Sequence, residues 1–371
     1  MQVFGPNELV EDVVKQGLCT GCGACVGLCP YFVNHKGKTS QLFACTVSQG
    51  RCHAHCPRAE VDLDELSHRA HGEAYGGAPL GHYREAAIAK AGDKVPRGRF
   101  QTGGTVSALL SWALASGRID AAVLTGGDGN TTEPRLATTP EAVLACASSK
   151  YTAAPTLAAL NRAIGEGREK LAVVATPCQA TAVAQLRANP LGKADFADPV
   201  RLTIGLFCTW ALGARSWSAF LAERLPGVTI LGMDVPPPPA RVFVVRTDEG
   251  EVEIPLEEVR PHIANACRLC PDMTAEWADL SVGVFEPSPE WNTLVVRTEE
   301  GLRAVEAARE AGYLTVEAMP ADALESLAGA ARNKKRRAFE KASAEGRLNA
   351  QGEGRRSAFR VNEEATHRIL A

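Results

Sequence analysis

The chain has 371 residues, 45% of them apolar, enough to bury one large core together with a small appended module. Its 40 Lys and Arg are nearly balanced by 43 Asp and Glu, giving a formal charge of −3. That balance excludes the electrostatic footprint of a nucleic-acid or anionic-lipid binder. No run of about 18 apolar residues is present to span a bilayer, and the stretch 1–11 has neither the basic head nor the apolar centre of an export signal. The expectation is a cytoplasmic protein without a membrane span, whose partners are small molecules or other proteins.

Seven of the twelve cysteines fall between Cys19 and Cys56. Cys19, Cys22, Cys25 and Cys29 follow the rhythm C-x2-C-x2-C-x3-C-P, in which three thiolates wrap one [4Fe–4S] cluster and the fourth serves another. Structural zinc also uses C-x2-C pairs, but normally sets two pairs a dozen or more residues apart. Cys45, Cys52 and Cys56 repeat the Cys-Pro ending with a wider first gap. The segment 1–60 therefore reads as a ferredoxin-like iron–sulfur module with an altered second half. By the crossover rule Cys56 joins Cys19, Cys22 and Cys25, which leaves Cys29, Cys45 and Cys52 as a second set. Three thiolates complete a centre only if it lacks an iron or borrows a ligand. His53 and His55 are near enough in sequence to lend one, although histidines in a polar loop are expected to face solvent.

Residues 61–84 are polar and interrupted by Gly76-Gly77-Ala78-Pro79, which predicts a linker. From 85 to 320 the pattern alternates. Helical spacing at Val106, Leu109, Leu110 and Leu114 feeds a strand over 119–125; helices over 154–164, 179–187 and 216–225 separate strands over 170–176 and 200–207. This alternation predicts an α/β fold with a mostly parallel sheet covered by helices. Short runs between Thr229 and Pro255, broken by prolines and Asp248-Glu249-Gly250, predict a small antiparallel insertion.

Cys178 follows one of these strands and Cys208 ends another. In an open parallel sheet strand C-termini line one crevice, where the positive ends of the following helices favour thiolates. The pair Cys267-x2-Cys270 would complete a four-sulfur site there; the alternative is that Cys178 and Cys208 are ordinary buried cysteines. Cys146, in an Ala-rich helical stretch, reads as core. Asp272, Thr274, Glu276 and Asp279 follow the pair as polar residues able to orient ligands, and Arg297 ends an apolar run, where it could meet a carrier phosphate or a salt-bridge partner. The block 321–371 is helical and charged, and Asn333-Lys334-Lys335-Arg336-Arg337 reads as a solvated helical face.

Taken in order, Gln101-Thr102-Gly103-Gly104-Thr105-Val106-Ser107, Ser149-Lys150-Tyr151, Thr176-Pro177-Cys178-Gln179, Ile204 to Cys208, Cys267 to Asp272, Ala278 to Gly283 and Trp291 to Thr298 resemble the beta subunit family of coenzyme F420 hydrogenase and dehydrogenase. The resemblance runs from about Gly98 to Ala318. It implies a flavin-binding α/β core, with Cys178, Cys208, Cys267 and Cys270 holding a [4Fe–4S] cluster near FAD. With it, Gln101, Gly103, Gly104, Ser107, Lys150 and Tyr151 become candidate FAD contacts, since glycines before a helix let backbone amides approach a phosphate. Two features depart from the family pattern: Thr102, where an acidic residue is frequent, and the Cys45–Cys52 gap.

The implied function is an oxidoreductase that moves electrons between a hydride carrier, coenzyme F420 or a nicotinamide, and one-electron partners. The expected cofactors are FAD and two [4Fe–4S] clusters, with the second N-terminal set as the place for a third. The expected partner is a hydrogenase, formate dehydrogenase or ferredoxin-like protein. The alternatives are a ferredoxin-linked relay, or a reductase of another organic substrate, without a hydride-carrier site of its own; a zinc-stabilised interaction module is a further rival. No side chain needs to act as a nucleophile or strong acid–base, because such chemistry resides in the cofactors.

Overall fold

A computed structural model describes residues 2–96, 100–191, 196–350 and 359–371. Gly98, where the resemblance read from the sequence begins, lies outside the described residues. The N-terminal part opens with α1 (Pro6–Leu9), running into a π-helical turn over Val10–Val14. An antiparallel hairpin of β1 (Phe32–His35) and β2 (Lys38–Gln41) follows, then α2 (Arg51–Ala54). Little regular structure is possible here because the thiols need irregular loops around them. The apolar residues that hold this part, Leu9, Val13, Leu18, Phe32 and Ala59, pack with Leu269, Ala342 and Phe359 from distant parts of the chain.

The stretch read as a linker is instead built into the molecule. It forms β3 (Val61–Asp62) and α3 (Leu63–His71), which starts on an Asp62 side-chain cap to the Glu65 amide and stops at Gly72, whose φ of +77° favours glycine. Leu63 and Leu66 are spaced to face one side and join the main core, each worth about 1.5–3 kcal/mol in burial. Polarity misled because the rest of α3 faces water.

The central sheet has eight strands. In chain order they are β4 (Glu85–Ala91), β5 (Ala121–Gly126), β6 (Glu133–Ala137), β7 (Leu171–Ala175), β8 (Val200–Leu206), β12 (Leu280–Val284), β13 (Asn292–Val296) and β14 (Leu314–Ala318). Their spatial order is β14-β4-β13-β12-β8-β7-β5-β6. The block β12-β8-β7-β5 is parallel, and β4 also runs its way, so five of the eight strands point in one direction; β6, β13 and β14 are reversed. Every residue of β7 is buried, as befits a central strand covered on both faces. One face is packed by α4 (Thr105–Ala115) and α10 (Glu299–Glu310), with α5 (Pro140–Ala145) at its edge. The other carries α6 (Thr156–Gly165) and α7 (Pro177–Ala188), joined by α3.

After α8 (Ala214–Arg224), the predicted insertion is a three-stranded antiparallel sheet of β9 (Ile230–Asp234), β10 (Val242–Thr247) and β11 (Gly250–Pro255), followed by α9 (Leu256–Val259). It wraps its own small core around Trp217, Phe243 and Ile254.

The C-terminal block is not a solvated tail. α11 (Ala321–Ala344) buries Lys334 and Lys335, β15 (Phe359–Arg360) pairs in parallel with β3, and α12 (Glu363–Leu370) adds Ala365 and Ile369 to the main core. Each buried lysine has carbonyl or carboxylate partners, which is the condition under which burying such a charge is tolerated.

Candidate functional site

Cys178 sits in the first turn of α7, and local sequence explains why the helix starts there. Pro177 occupies the first helical position, where its missing N–H is harmless, and Gln179 Oε1 accepts the Thr176 amide at 2.9 Å. Cys208 emerges from the end of β8, its amide bonded to Met273 O at 2.9 Å. Cys267 and Cys270 lie in and just after a 3-10 turn over Asn265–Leu269. These four thiols lie within electrostatic reach of one another. Two cations the sequence reading did not select face them: Arg58, directly after Cys56-Pro57, and Lys334 of α11. Lys334 Nζ donates to Cys208 O at 2.5 Å and to Asp272 O at 2.7 Å.

The N-terminal thiols form two groups by the same measure, touching where Cys25 interacts with Cys52. Cys22 interacts with Cys178, Cys56 and Cys25, and Cys25 and Cys56 both interact with Cys19. Cys52 interacts with Cys29 and Cys45. Cys22 thus adjoins the core set through Cys178, whose sulfur also receives Thr20. Contacts from α6 hold this arrangement. Leu157 donates its amide to Cys22 O at 3.0 Å, and Asn161 Nδ2 bonds Ala24 O and Val26 O at 2.9 and 2.7 Å. Gly23 must be glycine: its φ is +84° and a Cβ would stand 2.6 Å from Pro155 O.

All twelve cysteines are free thiols. Burial, followed by repulsion from neighbouring sulfurs, pushes Cys22 up; Cys25 and Cys208 also rise chiefly through burial. Burial likewise takes Cys56 to about 12, and Cys52 and Cys267 to about 11. Cys270 goes the other way: burial opposes its ionisation, but Lys334 and Arg58 outweigh it. Backbone amides aim at sulfur as well, from Gly21 and Thr39 to Cys19 at 3.4 Å each and from Ala211 to Cys267 at 3.3 Å. Crowded, dry thiols with N–H donors and buried counter-cations fit the donor set of an iron–sulfur cluster, whose iron would supply the positive charge that deprotonates them. Among the described residues no group of three or more His, Cys, Asp or Glu is set for a single metal ion.

Residues 86–161 match the family described as coenzyme F420 hydrogenase/dehydrogenase, beta subunit N-term, and residues 168–322 match the corresponding C terminus. The coenzyme F420 hydrogenase subunit beta of Methanothermobacter thermautotrophicus is 32% identical over 236 residues, covering 63% of this chain and 84% of that one. The chain belongs to the F420 hydrogenase/dehydrogenase beta subunit family. A further relative is the coenzyme F420-dependent sulfite reductase of Methanocaldococcus jannaschii, 28% identical over 305 residues, 79% of this chain and 46% of the reductase. Among solved structures, a chain of the F420-reducing [NiFe] hydrogenase complex from Methanosarcina barkeri superposes with a TM-score of 0.65 at 25% identity, covering 75% of this chain and 97% of that chain.

In this member of the family, Gln101 and Tyr151 meet at a residue the sequence reading missed, Asp234 at the end of β9, and Lys150 does not join them. Gln101 donates to Asp234 Oδ1 at 2.5 Å and accepts the Ser149 amide at 2.7 Å. The Tyr151 hydroxyl accepts the Val235 amide at 3.1 Å, and burial with the Asp234 charge pushes it up to about 12. Lys150 Nζ bonds Ser148 Oγ at 2.7 Å. The close approach permitted by the paired glycines is taken by protein. A Cβ on Gly103 would lie 2.8 Å from Asn292 Oδ1, and one on Gly104, with φ of +77°, 2.7 Å from the Phe100 ring. Ser107 is buried one turn further along α4.

His53, His55 and Arg297 depart from expectation. His53 and His55 are buried, not solvent-facing: His53 Nδ1 accepts the Phe4 amide, and His55 Nε2 lies 3.3 Å from Asn189 O. Arg297 is fully buried, with its guanidinium committed to Leu80 O, His82 O, Thr274 O, Thr274 Oγ1 and Ser281 Oγ, which takes up the donors a carrier phosphate would need. Asp272 shapes the loop behind Cys270 by accepting the Thr274 and Glu276 amides at 2.9 and 2.8 Å. Asp279 ties β8 to α10, accepting the Thr203 amide at 2.7 Å and the Thr298 hydroxyl at 2.9 Å. Cys146 is partly buried and packs against the α4 side of the sheet, outside all three thiol sets.

Proposed function

We propose that the chain is an iron–sulfur flavoprotein oxidoreductase, the subunit of a larger complex that exchanges a hydride with coenzyme F420 and single electrons with a protein partner. The observation that carries this reading is the convergence of Cys178, Cys208, Cys267 and Cys270 with the cations Arg58 and Lys334, and of Cys22 of the N-terminal set with Cys178. The relatives named as F420-linked hydrogenase and reductase favour the deazaflavin over a nicotinamide as carrier. A partner of the hydrogenase kind is supported by the hydrogenase relative; a formate dehydrogenase partner, and FAD through the pattern around Gln101 and Tyr151, are what the family resemblance implies.

When bound, FAD accepts two electrons together and returns them one at a time, while the clusters carry single electrons. The chain's own residues supply the setting. Cys178, Cys208, Cys267 and Cys270 would hold one [4Fe–4S] cluster, and Cys19, Cys22, Cys25 and Cys56 another. Arg58 and Lys334 offset the thiolate charge of the core set, and burial keeps water from it. Gln101, Asp234 and Tyr151 fix the wall between the antiparallel subdomain and the sheet, where a flavin would be oriented. The adjacency of Cys22 and Cys178 gives electrons a short route between the two sets.

Anaerobic stopped-flow mixing with reduced F420, NADH and NADPH in turn tests the reading. Rapid bleaching of the flavin band by reduced F420 alone is the expected result. Iron-free, flavin-free protein from anaerobic purification would overturn it, and bleaching by a nicotinamide alone would reassign the carrier.

A further inference from the structure

Between Asp12 and Glu60 the chain carries Lys15, Lys36, Lys38, Arg51 and Arg58 and no carboxylate, although the whole protein is slightly acidic. Arg58 is committed to the core thiols and Lys15 to Glu11 at 2.5 Å. Lys36 and Lys38 stand exposed on the hairpin and Arg51 opens α2, so the charges this segment leaves for a partner are all positive. The same segment carries an apolar patch. Six large apolar side chains are exposed among the described residues, and three of them, Leu42, Phe43 and Val47, fall in the loop that carries Cys45. Cys29, which interacts with Cys52 alongside Cys45, is itself exposed.

The loop is held at both ends. Leu42 donates its amide to Tyr31 O at 2.7 Å, with the Tyr31 and Phe43 rings meeting edge-on at 6.1 Å. Gly50 donates to Phe4 O at 3.0 Å, and Gly5 lies so near Val47 O that a Cβ would approach it to 2.3 Å. The patch is therefore preformed, which lowers the entropy lost on binding.

We infer that Leu42, Phe43 and Val47, in a segment whose available charges are Lys36, Lys38 and Arg51, form the docking surface for a small acidic iron–sulfur carrier protein. An apolar patch on a segment of one charge suits a brief redox encounter, which uses less than about 1,200 Å² and draws its rate from charge steering. Cys45 lies in this loop and interacts with Cys52, as does Cys29, so a docked carrier exchanges one electron with that thiol set: the carrier's cluster is oxidised by one electron, the chain gains that electron, and no bond or proton changes hands. This inference rests on the proposed function and adds to it the place and chemistry of the partner.

The test uses the full, metal-loaded chain under anaerobic conditions and a small acidic [4Fe–4S] ferredoxin as probe, with binding followed by interferometry at low and high salt. Lys36→Glu with Lys38→Glu should slow association about tenfold and flatten its salt dependence. Phe43→Ala should raise Kd about tenfold or more through faster dissociation, with iron content and visible spectrum unchanged. Binding indifferent to both variants overturns the inference. So does an effect of Phe43→Ala on self-association, or on binding to anionic vesicles, in place of ferredoxin binding. A metal-free chain refutes the functional reading, whereas a metal-loaded chain that ignores the probe refutes only the docking surface.

Discussion

Replacing Lys335 with Met should be among the most damaging single changes in the protein. The Lys335 ammonium lies 2.7 Å from Glu276 Oε1, and the two side chains are only 2% and 4% exposed. It also donates to the Tyr75 hydroxyl at 2.8 Å and to Ala78 O at 2.6 Å, while Tyr75 donates to Glu276 Oε2 at 2.9 Å. Methionine keeps the stem's packing but leaves a carboxylate buried without its cation. Breaking one side of such a pair costs about 3–5 kcal/mol. With an unfolding entropy of about 2.1 cal/mol/K per residue, 371 residues give about 0.8 kcal/mol per degree, so Tm should fall by about 4–6 °C. Anaerobic calorimetry measures this directly. Adding Glu276→Leu should recover most of the loss, because the stranded charge is removed. A fall below about 1 °C for Lys335→Met, or a double variant no more stable than the single, would refute the argument that an unpaired buried charge dominates.

Cys178→Ala should lower iron by about four atoms per chain after anaerobic reconstitution, whereas Cys146→Ala should leave the iron count unchanged; equal iron in both variants would reject the four-thiol assignment. Gly205→Ala would drive a Cβ to within 2.4 Å of the Ala275 Cβ behind the core thiols, and a cost of about 1–3 kcal/mol should appear as a lower denaturation midpoint. Acid should weaken the fold through His71, which lines a cavity of about 250 Å³ beside Tyr75 and stacks on His82 at 4.2 Å. Burial, then the charges of His82 and Arg297, lower it from 6.5 to about 4. The unfolded chain therefore binds the proton first, and this contribution is intact above pH 6.5 and lost as pH falls toward 4. His71→Gln should flatten the Tm–pH curve across that window.

The central architecture was legible because helices and buried strands carry distinct periods. The stretches anticipated over 154–164, 170–176 and 200–207 became Thr156–Gly165, Leu171–Ala175 and Val200–Leu206. Cysteine spacing likewise anticipated which thiols the fold brings near one another. What the sequence hid were the groups whose role depends on distant partners. Lys334 and Lys335 sit in a basic run that has the look of a wet helix face, and nothing local reveals that Asp272, Cys208 and Glu276 wait for them. Asp234 reaches Gln101 across more than a hundred residues, with no motif to announce it. The reversed strands were also obscure: β13 is buried along its whole length like a parallel strand, and its reversal depends on the short connection from β12, which a composition reading does not resolve.

The pairing of β15 with β3 has a consequence for the order of assembly. Arg360 clasps Glu60, and α11 delivers Lys334 to the carbonyl of Cys208, so residues 300 positions apart in the chain are joined beside the core thiols. Until α11 has docked, those thiols lack their lysine counter-charge. A change that loosens the C-terminal block would therefore be felt first as an electrostatic loss at the cysteines, far from the altered residue.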